Sequence, residues 1–292
     1  MKKNLLKNMT AALAALFAIA IALPQTAQAQ EIRILGTDYY ESAVLNLEGG
    51  GSIKWDEENA TLTLNNVTLE NAEKSLVFSF SPSGIKELKV VLEGKNSIYG
   101  TNQEIFYWQD CDMTIQGSGS LTARSTSNVA MYYSGDTPST LTIKDCTLDI
   151  QSTYQSISGY KNGKNTATLS LVVDNATLKV KGSTDGDWQM PGIDNLKAYE
   201  LKNCHIETPA VKFGEANEGW GYKLLGEDND TYYGEVSIVP GNSTSITQPE
   251  ASATATVQEI YSLDGSRQPR MQRNVNIVKM SDGTTRKVVC RQ

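Results

Sequence analysis

The chain has 292 residues, with 26 Lys and Arg against 33 Asp and Glu, a net charge of −7, one His and four Cys. An acidic balance of this kind repels phosphate backbones and argues against nucleic acid as a partner. With His205 the only imidazole, and with Cys111, Cys146, Cys204 and Cys290 spaced as neither CxxC nor a Cys/His zinc pattern, no zinc motif can be assembled.

Residues 1–29 open with "MKKNLLKNMT", continue through "AALAALFAIAIAL" and end on "AQA". A basic lead, a short apolar core and a small-residue cleavage site together predict a secretory signal peptide. Its removal would leave no transmembrane segment, because no other run is long and apolar enough to span a bilayer. The expected destination is the periplasm, the outer-membrane surface or the extracellular space. Loss of Lys2, Lys3 and Lys7 leaves 23 basic against 33 acidic residues, a charge of −10 that divides into about −14 over residues 30–256 and +4 over 257–292. An acidic body also disfavours polyanionic glycans unless a cation bridges them.

Residues 31–59, including "LNLEGGGSIKWDEENA", read as an N-terminal cap or hairpin. A repeat follows: "ATLTLNNVTLE", "STLTIKDCTLDI", "SLVVDNATLKV" and "LKAYELKNCHIE" say nearly the same thing. Aligned on the last apolar residue before the polar pair, the anchors fall at Leu64, Leu92, Ile115, Ile143, Val173 and Leu201, with spacings of 28, 23, 28, 30 and 28. Apolar residues alternate with Thr, Lys or Ser, the period of a strand. Two residues past every anchor comes Asn66, Gly94, Gly117, Asp145, Asn175 or Asn203, all types that tolerate a left-handed backbone. A second strand begins directly after it. The unit is therefore strand, tight corner, strand, with no helical periodicity and a period too short for a propeller blade. This predicts an all-β chain built as a single-stranded parallel β-helix of about six or more coils, in which like residues stack about 4.8 Å apart. A β-sandwich stays open, because a strand pattern does not fix parallel pairing. On this alignment Cys146 points inward in one column with Val67, Ala176 and Cys204, and two coils separate the cysteines, too far for a disulfide.

Aromatic residues recur 14 to 18 residues past the anchors: Phe78 and Phe80, Tyr107 and Trp108, Tyr132 and Tyr133, Tyr160, and Trp188. In stacked coils they form a strip along the solenoid axis. Sugar rings in an extended glycan repeat every ~5 Å, close to the rise between coils. The expected ligand site is therefore Tyr107, Trp108, Tyr132, Tyr133, Tyr160 and Trp188, although strand alternation must turn half of the adjacent rings into the core. For metals, "STDGDW" with Asp185 and Asp187, and "GEDNDTYYGE", offer clustered oxygens for Ca²⁺, but neither fits the EF-hand loop and turn chemistry explains both. No cofactor is expected beyond that weak Ca²⁺ candidacy. No catalytic residues are assigned: the repeats carry one arginine, Arg124, and no Asp-Asp, Gly-His-Gly or Arg-x-Lys signature of a polysaccharide hydrolase.

Residues 211–239 read as a C-terminal cap, which places the β-helix with its caps at 30–239. Residues 240–256, "PGNSTSITQPEASATAT", read as a flexible linker. Residues 257–292 alternate again, with turns at Asp264-Gly265 and Asp282-Gly283, and predict a small antiparallel β module of two to four strands.

Through Ile260-Tyr261, Gly265, Arg267, Asn276-Ile277-Val278, Asp282-Gly283 and Lys287-Val288-Val289, the tail resembles the C-terminal module of proteins exported by type IX secretion. The resemblance implies a sorting role at the outer membrane or cell surface; a capping or dimerising hairpin is the alternative. The progression "ATLTLNNVTL", "LKVVLEGKNSI", "MTIQGSGSLT" and "LTIKDCTLDI" is similar to secreted right-handed β-helix proteins of carbohydrate-binding type, cousins in architecture of pectate lyases. It implies a non-catalytic glycan-binding protein. A structural or adhesive surface protein binding protein or mucin, and a Ca²⁺-dependent polysaccharide lyase, are the other readings. The oligomeric state is not written in the sequence.

Overall fold

The computed structural model describes residues 32–241 and 257–290, apart from 75–76, 80–83, 102, 161–165, 185–187, 217–219, 263–264, 273 and 282–284. Residues 1–29, expected to be a signal peptide, most of the expected linker, Phe80, Asp185, Asp187, Asp264 and the turn expected at Asp282-Gly283 lie outside the described residues. Two compact units divide at Ser245 and Ile246.

The first unit opens with two hairpins, β1 (Ile32–Ile34) with β2 (Thr37–Tyr39), and β3 (Ala43–Leu47) with β4 (Gly51–Asp56). Five three-strand coils follow. They are β5 (Thr61–Asn65), β6 (Thr68–Ala72), β7 (Val77–Ser79); β8 (Glu87–Glu93), β9 (Lys95–Gly100), β10 (Phe106–Trp108); β11 (Asp112–Gln116), β12 (Ser120–Ser125), β13 (Met131–Ser134); β14 (Ser139–Lys144), β15 (Thr147–Ser152), β16 (Ile157–Tyr160); and β17 (Leu169–Asp174), β18 (Thr177–Lys181), β19 (Ile193–Asp194). A sixth coil starts with β20 (Leu196–Lys202) and β21 (Cys204–Ile206). The first strands of the coils stack in parallel as sheet I, the second as sheet II and the third as sheet III. The parallel pairing settles the choice between β-helix and sandwich. Sheet I reaches six parallel rungs and the other two sheets five.

The repeat folds this way because its inward positions are apolar and its corners accept a left-handed residue. Leu62, Val90, Ile115, Ile143 and Val173 form one fully buried column through sheet I. Each such side chain contributes roughly 1.5–3 kcal/mol by leaving water. All six predicted corner residues have positive φ, from 48° at Asn175 to 121° at Gly117. Polar side chains bridge neighbouring corners: Asn175 Nδ2 donates to Asp145 Oδ1 at 2.8 Å, and Asn203 Nδ2 to Asp174 Oδ1 at 3.2 Å.

The short spacing of 23 has a physical origin. Val90, not Leu92, lies opposite Ile115, so the second coil runs two residues further before it turns. Leu92 then meets the third coil's corner, where a Cβ on Gly117 would stand 2.5 Å from the Leu92 carbonyl oxygen. Only glycine fits there.

The cysteine column also differs from the expectation. Thr147 pairs with Ser120 and Thr177, so Cys146 lies level with Gly119 and Ala176. Val67, which precedes the Thr68–Ser97 pair, lies level with Asn96 and so belongs to the Leu148 column. Cys111, Cys146 and Cys204 are buried thiols outside any disulfide. Burial pushes the Cys146 thiol up to about 12, and its Sγ sits 3.7 Å from the Ile115 carbonyl oxygen. These residues act as small apolar filler.

Both ends of the solenoid are closed by antiparallel strands. At the first coil, β1 covers β7 and β4 covers β5. At the last, the hairpin of β22 (Lys212–Glu215) and β23 (Tyr222–Leu225) docks on β20, where Tyr199 stacks on Phe213 with centroids 4.3 Å apart. The strand β24 (Val236–Pro240) inserts antiparallel between β18 and β21 and displaces the sixth coil from sheet II.

The second unit is a four-stranded antiparallel sheet of β25 (Val257–Tyr261), β26 (Arg267–Gln268), β27 (Asn274–Met280) and β28 (Thr285–Cys290), in the order β26-β25-β27-β28. Glu259 accepts from the Tyr261 hydroxyl at 2.7 Å and pairs with Arg267 at 3.3 Å.

Candidate functional site

Strand alternation divides the aromatic strip of sheet III. Tyr107 lies opposite Tyr132, and Trp108 opposite Tyr133. Trp108 and Tyr133 point inward and are 0% exposed. Their rings are 5.7 Å apart, and the indole Nε1 donates to Ser139 Oγ at 3.4 Å, so both belong to the core. Only the outward half of the strip therefore reaches the surface.

Tyr107, Tyr132 and Tyr160 point outward and are half-buried. They meet one another edge to face, with centroids 5.6 Å apart for the first pair and 6.0 Å for the second. Burial raises all three phenols above their ordinary value, so they stay protonated donors at neutral pH. The rings are engaged with each other, and Gln109 Nε2 donates to the Tyr107 hydroxyl at 2.8 Å. Phe78 occupies the same backbone column on β7.

Trp188 lies elsewhere. It sits in the loop between β18 and β19, at the corner where sheet II gives way to sheet III, and is 75% exposed. One coil earlier, in the equivalent turn, is Tyr154 at 45% exposure. The two rings help line a cleft of about 310 Å³ with Thr126, Ser127, Thr153, Ser183 and Met190. A second cleft of about 230 Å³ shares Thr126, Thr153 and Ser183 and extends over sheet II to Arg124, Gln151 and Lys181.

Register explains why the two clefts are continuous. Tyr99, Arg124, Gln151 and Lys181 occupy one outward column in successive coils, and each of the last three is followed two residues later by Thr126, Thr153 or Ser183. The result is a polar channel whose chemistry recurs at every ~4.8 Å rise, with aromatic rings on its far bank. Inward hydroxyls hold that bank in place. Ser125 Oγ donates to the Gln103 carbonyl at 3.0 Å, while Ser152 Oγ donates to the Asn128 carbonyl and accepts from the Tyr154 N–H at 2.9 Å. Asn128 Nδ2 in turn donates to Glu104 at 2.7 Å.

Charge in the channel is partly spoken for. Arg124 donates to Asp149 Oδ2 at 2.8 Å and to the Asp149 carbonyl, which leaves the guanidinium paired and fixed. No group of three or more His, Cys, Asp or Glu suited to a metal occurs among the described residues. Glu227 and Asp228 line an open cleft of about 490 Å³ near the C-terminal cap, where the Asp228 carboxylate accepts from the Asp230 N–H at 3.1 Å as a turn residue.

The structure thus brings Trp188 together with Tyr154, which sequence spacing did not single out, and separates it from the five sheet III aromatics. Tyr154 was hidden because it falls only 11 residues past its anchor, in a corner rather than a strand. No protein-family model, curated protein or solved structure matches the chain, so the geometry of this channel carries the functional reading alone.

Proposed function

We propose that this chain is an exported, non-catalytic glycan-binding β-helix, with its ligand in the channel between the sheet II column Arg124–Gln151–Lys181 and the rings of Tyr154 and Trp188. The observation that carries the reading is the pair of exposed rings in adjacent coils beside rows of Ser and Thr hydroxyls. Exposed aromatic faces suit the C–H faces of sugars, and side-chain hydroxyls suit their OH groups. An extended glycan lying along the axis would offer about one sugar per coil. The acidic body favours a neutral glycan. In this reading the basic C-terminal sheet serves to sort the chain to the cell surface.

The test is a glycan array and a polysaccharide-retention assay on wild type, Trp188→Ala and Tyr154→Ala. Wild type is expected to bind, and each variant to lose about tenfold or more in affinity, as truncation of a central aromatic contact does. Equal binding by Trp188→Ala sinks the channel as the site. Binding to deglycosylated mucin instead would favour a protein-binding adhesin, and Ca²⁺-dependent release of unsaturated oligosaccharides would overturn the non-catalytic assignment.

A further inference from the structure

An unpaired sheet edge is a template for another strand, and stable proteins blunt such edges with charge, bulges, proline or shortness. Seven of the eight free edges among the described strands carry such a device. The edges β2, β19, β21 and β26 are two or three residues long. The edge β6 contains Glu70 and breaks register against β9 beyond Leu69. The edge β22 carries exposed Lys212 and Glu215, and β28 carries Arg286 and Lys287.

The remaining edge, β3, has none. Its five residues, Ala-Val-Leu-Asn-Leu, hold no charge, no proline and no bulge, and pair with β4 in unbroken register from Ala43 to Leu47. Val44 is 60% exposed. On the inner face Leu45 and Leu47 pack against the core and are only partly buried.

We infer that β3 pairs with β3 of a second copy, making a two-fold dimer whose sheet I runs without interruption through both molecules. A two-fold axis requires antiparallel, self-complementary pairing. With the axis at Leu45, that residue meets its own counterpart, Ala43 meets Leu47 of the second copy, and Val44 meets its Asn46. The flanking acids fit as well. Glu41 falls opposite Gly49 and Glu48 opposite Ser42, so no carboxylate faces another despite the acidic body. The pairing satisfies the free backbone groups of β3 and covers Leu45 and Leu47 from water.

Sedimentation velocity and light scattering on the purified chain, from low to high micromolar, test this. Wild type is expected to approach twice the monomer mass, and Val44→Lys to remain monomeric and folded, with a melting temperature that matches wild type diluted into its monomeric range, because position 44 is exposed in the monomer. In a Cys290→Ser background, Val44→Cys with Asn46→Cys is expected to lock the dimer covalently on oxidation, since opposed residues of antiparallel strands stand within disulfide reach. A wild type that stays monomeric overturns the inference. So does a dimer that Val44→Lys leaves intact, one that the cysteine pair fails to lock, or a mass that climbs past the dimer.

Discussion

Sheet III and the corner beside it draw on the same residue types and use them in opposite ways. Along sheet III the parallel register sets Tyr107 against Tyr132 and Trp108 against Tyr133, while Tyr160, opposite Ser134, reaches the Tyr132 ring on the diagonal. At the corner the turns vary in length and no ladder binds them, and Trp188 and Tyr154 stand clear of the column. A repeating solenoid therefore tends to consume its strand aromatics in self-stacking, and leaves exposed rings to the turns, where the repeat is broken.

Three substitutions sharpen that contrast. The largest effect belongs to Trp108→Ala, which empties a fully buried site between coils and should cost about 3–5 kcal/mol, visible as a large drop in melting temperature. Trp188→Ala, by contrast, should stay within about 0.5 kcal/mol of wild type; equal losses at the two sites would erase the distinction between core ring and corner ring. Tyr132→Ala falls between them. It removes the middle ring of a three-ring ladder, each pair worth about 0.5–1.5 kcal/mol beyond area burial, and should cost about 1–3 kcal/mol in denaturant unfolding while leaving glycan retention intact.

The smallest effect is expected at Asp194, which follows Tyr132 and Ser158 in the outward column of sheet III. Burial raises its carboxyl above the ordinary value of 3.8, opposed by the Asn195 N–H and by Lys223. A raised folded-state value means that the contribution of this group is present in full below the unfolded value and is lost as pH rises through the folded one. Asp194→Asn keeps an acceptor for the Asn195 N–H without the charge. It should therefore melt slightly above wild type at neutral pH, with the difference closing as pH falls below the ordinary carboxylate range. A gap that widens in acid would show that the charge is favourable where it sits.

Much of the architecture was legible in the residues. Six corner residues of Gly, Asn or Asp type mark six left-handed turns, because backbone sterics are local and leave a residue-by-residue trace. The alternation of inward and outward residues was legible for the same reason, but which residues share a column across coils was not. What could not be read depended on partners from other coils. The two-residue overrun at Leu92 needs the third coil's corner glycine to show it, and the inward turn of Trp108 rather than Tyr107 needs the register of a third sheet whose strands are only two to four residues long. Tyr154 was missed because corner residues obey no strand periodicity. The channel's polar bank was missed because its repeating unit is one residue per coil, spread over roughly 28 positions of chain.

The insertion of Val236–Pro240 between β18 and β21 also fixes an order of events. Coils can stack as they emerge, each on the one before, but the edge of β18 stays open until a strand more than fifty residues downstream returns to fill it. The body is thus finished by the last strand before residues 240–256, and a chain cut short of Val236 would present an unsealed sheet to its surroundings. The seal doubles as a completeness check: the solenoid closes only once nearly all of it has been made.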